Sequence, residues 1–519
     1  MRIDRNQTFD LAIVGAGAYG AAIAYEAATR GLTTFLADKG DFGSGTSANS
    51  LKIVHGGLRY LQNLDFRRAR SSTRERSTFL RIAPDLVSPL QCVMPTGWAR
   101  GRGRFVMAAG LALNSAVTFD RNRTVPATQR LAAGGILSRS EVARLAHGLH
   151  MGDISGGASW FDAIMHDSER LCLGLVMSAR DAGASVHNYT SVEHLLESGG
   201  SAVGVAVRDQ MTGSEHEIRA RAVIGCQGPW ALTGNSGPFG QVASLGLLKA
   251  VNLILPNASL KCAIAFPARD TAGRPQRDQL LFAVPWHGLT MVGTWYLPSA
   301  ESQDRLTVSS EELDSMLHEL NSGFEGWNFG RKDVRMLHIG QLPAIPTNQS
   351  ESRPITAPLI AESVDFGGPR RAWIVQGEKW TTARQTAQRA VEFIAKRCGF
   401  DVAQSVSSRK PLYSGPEGLA SCVPAGEMPA PNGQQPGELS DLVELLLYSL
   451  RHEIVRTLPD LLLRRTNIGA GGRPAPELTE RVSRLAASEL GWDETERLQN
   501  VKAIQRHSMY PDKSVVGSG

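Results

Sequence analysis

The sequence predicts an α/β fold in three parts, and one observation supports each part. Residues 9–38 follow the order strand, glycine-rich turn, helix and strand. Residues 245–345 alternate short apolar runs with Gly/Pro turns, which is typical of a mixed sheet. Between Leu439 and about Gln505 the spacing of Leu442, Leu445, Leu446 and Ser449 predicts one face of a helix, and so a small α-helical C-terminal domain.

The composition is that of an ordinary globular protein. The chain has 519 residues, enough for two or three domains, with 42% hydrophobic and 20% charged residues, so a mostly disordered or fibrous chain is excluded. A net charge of +5 is too small to indicate a nucleic-acid partner. The six cysteines form no CxxC and no zinc-like spacing, so we expect no metal site, no disulfide scaffold and a cytoplasmic location.

A glycine-rich turn joins the first two predicted strands, Phe9–Val14 and Thr33–Ala37. It reads Gly15-Ala16-Gly17-Ala18-Tyr19-Gly20 and opens an alanine-rich helix that reaches Arg30. In such a turn the first glycine allows a sharp bend, the second lets the backbone approach a pyrophosphate, and the third lets helix and strand pack closely. The free N–H groups of the helix N-terminus then face the phosphates.

Asp38 follows the second strand, where a carboxylate can hold a ribose hydroxyl and disfavours the 2′-phosphate of NADP. Together these elements predict a Rossmann-like dinucleotide-binding domain. A glycine-rich turn of an unrelated α/β protein is the alternative.

A second βαβ-like unit begins near Asp167, which can cap a helix running to about Ala182. A strand over Ser185–Tyr189 follows, and then a hairpin of Ala202–Arg208 with Glu217–Gly225. The hairpin runs into Gly228-Pro229-Trp230, a small-residue turn of the kind that a second approach of the cofactor requires.

Further motifs carry a family resemblance. They are His55-Gly56-Gly57-Leu58-Arg59-Tyr60-Leu61, the stretch from Gly45 to Lys52, Asp162, Asp167 and Arg170, Val284-Pro285-Trp286, Gly293-Thr294, Gly377 to Thr382, His452-Glu453, Val455-Arg456 and Arg464-Arg465-Thr466. With these motifs nearly the whole chain resembles the FAD-dependent glycerol-3-phosphate dehydrogenases, within the flavin oxidoreductases whose second domain is like that of D-amino-acid oxidase.

The resemblance implies a division into domains. Residues 1–90, 161–235 and 346–400 are expected to form the FAD-binding domain, and residues 91–160 and 236–345 a mixed-sheet substrate (cap) domain. Residues 401–438 are expected to be a linker, and residues 439–519 the helical C-terminal domain.

The resemblance also implies FAD, hydride transfer from a secondary alcohol to flavin N5, and electron delivery to quinone or oxygen. The residues expected to bind the cofactor are Gly15, Gly17, Ala18, Tyr19, Gly20, Asp38, Lys39, Thr46, Ser47, Ser50, Lys52, Val192, Gly228, Trp230, Gly377, Lys379, Trp380 and Thr381. Lys379 would face the flavin pyrimidine oxygen, where negative charge develops on reduction.

Three residues are the expected catalytic group: His55, Arg59 and Lys379. His55 could assist removal of the hydroxyl proton, and Arg59 could bind a phosphate in a fork, with Tyr60 beside it. The alternative is a structural histidine and a surface arginine.

The chain departs from the family in the expected substrate pocket. Leu342 stands at the family's phosphate-binding arginine, Asn252 at its histidine, and Trp295 and Tyr296 replace its Thr-Asp. Arg335 or Arg353 could compensate for the missing arginine. The pocket is therefore expected to be less charged and more aromatic than in the family.

Three functions stay open at this stage. The favoured one is a flavin dehydrogenase for glycerol 3-phosphate or a related anionic polyol. The second is an enzyme of the same fold for another alcohol, an amine or an amino acid, and the third is a flavin-binding protein without turnover. The sequence leaves the oligomeric state open.

The apolar stretch Phe105–Val117 has basic flanks at Arg100, Arg102, Arg104, Arg121 and Arg123. It is too short for the ~20 residues of a membrane span. A buried helix is the preferred interpretation, and peripheral attachment to a membrane is the alternative.

Overall fold

The computed structural model describes residues 7–97, 103–152, 154–232, 239, 246–269, 275–299, 306–346, 352–377, 379–416 and 436–511. The strands are β1 Thr8–Val14, β2 Thr34–Ala37, β3 Ile53–Val54, β4 Val87–Thr96, β5 Gly135–Ser138, β6 Gly156–Met165, β7 Ser185–His187, β8 Thr190–Ser198, β9 Ser201–Asp209, β10 Glu215–Gly225, β11 Gly246–Leu255, β12 Ala263–Arg269, β13 Pro275–Trp286, β14 Leu289–Ser299, β15 Met336–Pro346, β16 Ser352–Pro354, β17 Leu359–Glu362 and β18 Ala372–Gln376. The helices are α1 Ala18–Thr29, α2 Phe66–Ile82, α3 Arg104–Val117, α4 Arg139–Leu145, α5 Ser168–Asp181, α6 Ser310–Gly323, α7 Ala383–Cys398, α8 Pro436–His452, α9 Leu458–Asp460, α10 Pro476–Leu490 and α11 Glu494–Gln505.

The first sheet is the predicted nucleotide-binding sheet. Its strand order is β17-β18-β10-β1-β2-β7, and β18, β10, β1, β2 and β7 run parallel. The parallel strands are nearly continuous apolar runs because helices cover the sheet; α1 packs between α5 and α7. The predicted hairpin is present as β9 and β10, joined through an antiparallel ladder.

The second sheet is the mixed sheet of the cap. Its order is β16-β15-β11-β14-β13-β12-β4-β6-β3, with β5 added on β6. The ladders are antiparallel except for β12 with β4. The mixed sheet predicted from residues 245–345 is present, and helix α6, which the pattern did not predict, lies between β14 and β15. Ser309 and Glu312 form a capping box that starts this helix, a signal that the sequence contained.

The C-terminal segment is helical, as predicted. On α8 the four residues named from the helical spacing, Leu442, Leu445, Leu446 and Ser449, are all buried. A π-helical turn over Leu461–Arg465 follows α9, and its leucines pack in the same core as α8, α10 and α11. This core also contains residues of the cap sheet, such as Met291 and Met336, so the helical domain is fixed to the cap.

The helix over the apolar stretch differs from the preferred prediction. Met107 and Leu111 of α3 are buried, but Phe105 is 88% exposed and Val106 is 56% exposed, so α3 is not a buried helix. Its flank Arg121 is half-buried and Arg123 is exposed, whereas Arg100 and Arg102 lie outside the described residues. Among the helices that the structure describes, none is both long and apolar enough to cross a bilayer.

Candidate functional site

The glycine turn after β1 is built by contacts that tolerate only glycine. Gly15 has φ +97°, and a Cβ there would lie 2.7 Å from the carbonyl oxygen of Cys226. A Cβ on Gly20 would lie 1.8 Å from the carbonyl oxygen of Gly15, so helix and strand pack in direct contact. Gly17 precedes α1, and the Ala18 N–H donates to Ser47 Oγ at 2.9 Å. The turn and the Ser47 loop therefore form one structure at the N-terminus of α1.

Asp38 supports the same turn from the end of β2. Its carboxylate accepts hydrogen bonds from the Ala16 N–H at 2.6 Å and the Gly40 N–H at 2.9 Å. Burial raises the pKa of Asp38 to about 6, although both hydrogen bonds oppose that shift. Each carboxylate oxygen has a second lone pair, so the predicted contact with a ribose hydroxyl remains compatible with these bonds.

The loop after β18 closes the site on the other side of α1. A Cβ on Gly377 would lie 1.9 Å from the Tyr19 ring, and the Tyr19 hydroxyl donates to the Lys379 carbonyl at 2.8 Å. The Trp380 indole N–H donates to the Ser47 carbonyl at 2.9 Å. The sequence-predicted cofactor residues of three distant segments are thus brought together around the start of α1.

The site has the polar groups that a flavin nucleotide requires. Among the described residues, Asn49 Oδ1 and Thr381 Oγ1 are buried without a hydrogen-bond partner. Thr46, Asn49 and Trp230 line a cavity of about 210 Å³. Buried polar atoms normally find partners, and the N-terminus of α1 attracts phosphate, so these residues fit FAD. The remaining expected residues, Lys39, Val192 and Gly228, lie at the ends of β2 and β10 and in β8.

The structure does not support the prediction that the Lys52 side chain binds the cofactor. Its ammonium is buried and donates to Glu169 at 2.6 Å, to Ser168 Oγ at 3.0 Å and to the Ala48 carbonyl. Ser50 Oγ accepts the Lys52 N–H. Lys52 therefore holds the loop that precedes β3 instead of presenting its charge to a cofactor, because a buried cation requires a paired anion.

The predicted catalytic residues meet in space. Lys379 Nζ donates to Tyr60 Oη at 2.5 Å and to Ser72 Oγ at 3.2 Å. The His55 and Tyr60 rings lie 6.1 Å apart. Tyr60 and Arg59 occupy a 3₁₀ turn over Leu58–Asn63, which begins directly after the glycine pair of the motif. Residues more than 300 positions apart in sequence therefore form one cluster.

The glycine pair serves this cluster. A Cβ on Gly56 would lie 2.1 Å from Arg76 Nη1, so only glycine leaves room for that guanidinium. Arg76 donates to Asp162 Oδ1 at 2.6 Å, which also accepts the Gly56 N–H. Burial and the Lys379 ammonium lower the pKa of His55 to about 4, against an opposing effect of Asp162. His55 is therefore a neutral imidazole near pH 7, the form that accepts a proton.

Of the two aromatic residues that the sequence predicts for the substrate pocket, only one lies beside the cluster of His55, Tyr60 and Lys379. The prediction that Trp295 lines the substrate pocket is wrong. Its indole is buried in the core beneath α6 and donates to Glu319 at 2.6 Å. Side chains alternate along β14, so Tyr296 points to the opposite face. The Tyr296 side chain is partly exposed, and the Arg59 guanidinium lies near its phenol. Tyr296 therefore lies beside the cluster, whereas Trp295 does not.

The cap residues Asn252 and Leu342 lie on the face that meets the Ser47 loop. Asn252 is buried, donates to the Asn49 carbonyl at 3.3 Å and accepts from Thr294 Oγ1 at 2.7 Å. A Cβ on Gly340 would lie 3.0 Å from Thr46 Cγ2, which places this face of β15 against the loop. Leu342 is two residues further along the same face.

A buried charge cluster that sequence reasoning missed links the C-terminal domain to the cofactor turn. Asp41 accepts from Arg464 Nε at 2.5 Å, from both Nη1 and Nη2 of Arg465, and from Asn188 at 2.8 Å. The two guanidinium groups hold the pKa of Asp41 well below its usual range despite burial. The Arg464-Arg465 pair was visible in the sequence, but its partner is more than 400 residues away.

Two other residues around α5 also have structural partners. Asp167 takes the position before α5 but makes no capping bond with its side chain; it instead pairs with His287 at 3.0 Å. Arg170 forms a two-bonded pair with Glu453 of the C-terminal domain. Within the described ranges, His, Cys, Asp and Glu form no group of three that could hold a metal ion.

Comparison with known proteins gives independent information. The family model for FAD dependent oxidoreductases matches residues 10–392, and the model for the C-terminal domain of alpha-glycerophosphate oxidase matches residues 420–497. Glycerol-3-phosphate dehydrogenase of Synechocystis sp. is 30% identical over 75% of this chain and 70% of its own length. Aerobic glycerol-3-phosphate dehydrogenase of Staphylococcus saprophyticus is 28% identical over 76% of this chain and 68% of its own length. The structure of glycerol-3-phosphate dehydrogenase from Bacillus halodurans, complexed with FAD, has a TM-score of 0.72 at 22% identity and covers 99% of this chain and 96% of that one.

The fold and the site define a FAD-dependent oxidoreductase with a nucleotide-binding domain, a mixed-sheet cap and a helical C-terminal domain. FAD is its cofactor, as the sequence predicted. The chain belongs to the family of FAD-dependent glycerol-3-phosphate dehydrogenases. The predicted fold class and family are therefore confirmed.

Proposed function

We propose that this protein oxidises the secondary alcohol of a small anionic substrate to a ketone. Glycerol 3-phosphate, for which the relatives are named, is the reference compound. The observation that carries the proposal is the cluster of His55, Tyr60 and Lys379 beside the cofactor-binding turns, with Arg59 on the same 3₁₀ turn. A base, a hydroxyl and two cations are the groups that oxidation of an anionic alcohol requires.

Bound FAD supplies the acceptor for the hydride that leaves the carbinol carbon. The protein must remove the hydroxyl proton, and His55, with a pKa of about 4, is neutral and accepts it. Lys379 and Tyr60 hold each other at 2.5 Å and orient the substrate oxygen. Arg59 binds the anionic group with its planar fork of donors.

A second candidate is oxidation of an amine or amino acid by the same fold. The observation that favours it is Leu342, an uncharged side chain at the expected anchor for phosphate. A flavin-binding protein without turnover is the third candidate. The cluster of His55, Tyr60 and Lys379 argues against it, because titratable groups with perturbed pKa values that converge at one place are typical of catalytic sites.

The test is anaerobic bleaching of the bound flavin. Glycerol 3-phosphate, lactate and glycerate would be compared with alanine and serine, the amine counterparts of the two hydroxy acids. We expect an alcohol to bleach the visible absorbance and to give the ketone, while its amine counterpart does not. Bleaching by the amines alone would favour the second candidate, and no bleaching by any compound would refute both enzymatic proposals.

We propose that the reduced flavin passes its electrons to a quinone or to oxygen. We also propose that the protein contacts an anionic membrane surface. Five exposed apolar residues lie on helices α2 and α3 or directly beside them: Leu64, Phe66, Phe105, Val106 and Phe119. Helix α3 contacts both α2 and the 3₁₀ turn that carries Arg59, so this surface adjoins the catalytic cluster. Contiguous exposed apolar residues near cations are typical of interfacial binding.

We expect the protein to float with anionic vesicles at low salt. Phe119 is 77% exposed. Replacing Phe105 and Phe119 with serine should release the protein from the vesicles, because these side chains could no longer be buried in the lipid. Met211, an exposed apolar residue in the distant β9–β10 turn, gives the matched control Met211→Ser, which should still float. Failure of the native protein to bind such vesicles would contradict membrane contact.

A further inference from the structure

Both backbone polar groups of Gly56, the residue after His55, are bound by buried side chains. Strand β3 pairs with β6 as far as Val54, and His55 and Asp162 are the next two residues in this register. The Gly56 N–H donates to Asp162 Oδ1 at 2.5 Å, and Thr73 Oγ1 of α2 donates to the Gly56 carbonyl at 3.0 Å. Side chains from β6 and α2 therefore take the place of a backbone ladder where β3 ends.

Asp162 and Arg76 form a buried ion pair at this point. Their side chains are 8% and 4% exposed, and Arg76 Nη1 lies 2.6 Å from Asp162 Oδ1. The second carboxylate oxygen of Asp162 accepts the Trp160 indole N–H at 2.9 Å, and Arg76 also donates to the Phe161 carbonyl at 2.8 Å. Because Asp162 belongs to β6 and Arg76 to α2, the pair fixes the turn that follows His55 from two sides.

The two members of this pair act on His55 with opposite sign. The charged and titratable groups around the His55 ring come from four elements: Lys379 after β18, Asp162 on β6, Arg76 and Arg68 on α2, and Tyr60 on the 3₁₀ turn. Burial lowers the pKa of His55 most and the three cations lower it further, whereas Asp162 raises it. The effects of Asp162 and Arg76 on His55 thus oppose each other, and neutralising either one unbalances them.

We infer that Asp162 and Arg76 are positioning residues: they hold the backbone beside His55, and their opposite charges set the pH range over which His55 accepts the hydroxyl proton. This inference rests on the proposed function, in which His55 is the base. Asp162 does not take the proton itself, because its oxygens already accept three hydrogen bonds. It acts through the Gly56 N–H and through its charge.

The test is the pH dependence of kcat/KM for anaerobic flavin reduction by the alcohol that the enzyme oxidises. This rate should fall on the acid side as His55 becomes protonated. Asp162→Asn removes a charge that favours the imidazolium, so the fall should move to lower pH, whereas Arg76→Gln should move it to higher pH, each by about 1 pH unit. A role that is only structural would lower the rate at every pH without moving the fall.

Two further variants are the controls. Glu75, which precedes Arg76 on α2, is an equally buried carboxylate and pairs with Arg384 at 2.7 Å. Glu75→Gln should therefore leave the acid fall at its native pH. Arg76→Lys keeps the positive charge and should also keep the native position, even where its rate is lower. The visible absorbance of each variant would establish that the flavin is bound.

The outcomes separate this inference from the proposed function. Where one of the two neutralised variants does not fold, the other decides alone, because each has its own predicted direction. An acid fall at the native pH in these variants, or shifts of the same sign, would overturn the inference and leave alcohol oxidation standing. An unchanged acid fall in His55→Ala would show that another group is the base and would also overturn it. If the native enzyme oxidises no alcohol, the inference fails together with the proposed function.

Discussion

Replacing Gly17 with valine is expected to give a folded but colourless protein. A Cβ at this position would lie 3.1 Å from Ser47 Oγ, which is already the acceptor for the Ala18 N–H. The valine methyl groups would fill the space in front of the α1 N-terminus, where the backbone must approach the pyrophosphate. We expect purified Gly17→Val to lack visible flavin absorbance and to fail to take up added FAD.

The control for that variant is Gly135→Val. Gly135 lies in β5 with open space around its Cβ position, so valine there meets no atom and suits a strand. Circular dichroism and thermal unfolding would establish that both variants fold. Full flavin occupancy in Gly17→Val would contradict the assignment of this turn to the cofactor.

Replacing Arg59 with alanine is expected to cause the largest loss of turnover. If Arg59 binds the anionic group, its removal deletes a charge-assisted hydrogen bond worth ~1.5–3 kcal/mol, which corresponds to roughly 10- to 150-fold in kcat/KM. The measurement is the rate of anaerobic flavin reduction over a range of substrate concentrations.

Arg67→Ala is the matched control, since Arg67 is an exposed arginine of the nearby α2. It should change the kinetics little at physiological salt, where exposed charges are screened. Arg59→Ala should raise the concentration of substrate needed while the flavin stays bound. An unchanged kcat/KM in Arg59→Ala would refute anion binding by this residue.

Local sequence pattern was sufficient for the fold and for the cofactor turn. The spacing of Gly15, Gly17 and Gly20 predicts close contacts, and they are present: Gly20 packs on Gly15 within the turn itself, whereas Gly15 also packs on the carbonyl group of Cys226 after β10. Helix α6 could also have been predicted, since Ser309 and Glu312 form a capping box within four residues.

The rest depended on tertiary contacts that a linear pattern does not contain. Trp295 and Tyr296 are adjacent, and only strand register decides which of them faces the site. Lys52 pairs with Glu169 of α5, a helix more than 100 residues away in sequence, so the residues around Lys52 could not indicate its partner. Asp41 likewise forms ion pairs with Arg464 and Arg465, which are more than 400 residues away in sequence.

The most direct test of the central claim is the effect of deuterium on flavin reduction. The alcohol that bleaches the flavin fastest would be prepared with deuterium at its carbinol carbon and mixed anaerobically with the purified protein. If this FAD-dependent enzyme oxidises the CH–OH group by hydride transfer, the deuterated alcohol should bleach the flavin markedly more slowly than the ordinary one, and the ketone should form in equal amount to the reduced flavin. Equal rates for the two alcohols at saturating concentration, or bleaching without formation of the ketone, would contradict the claim.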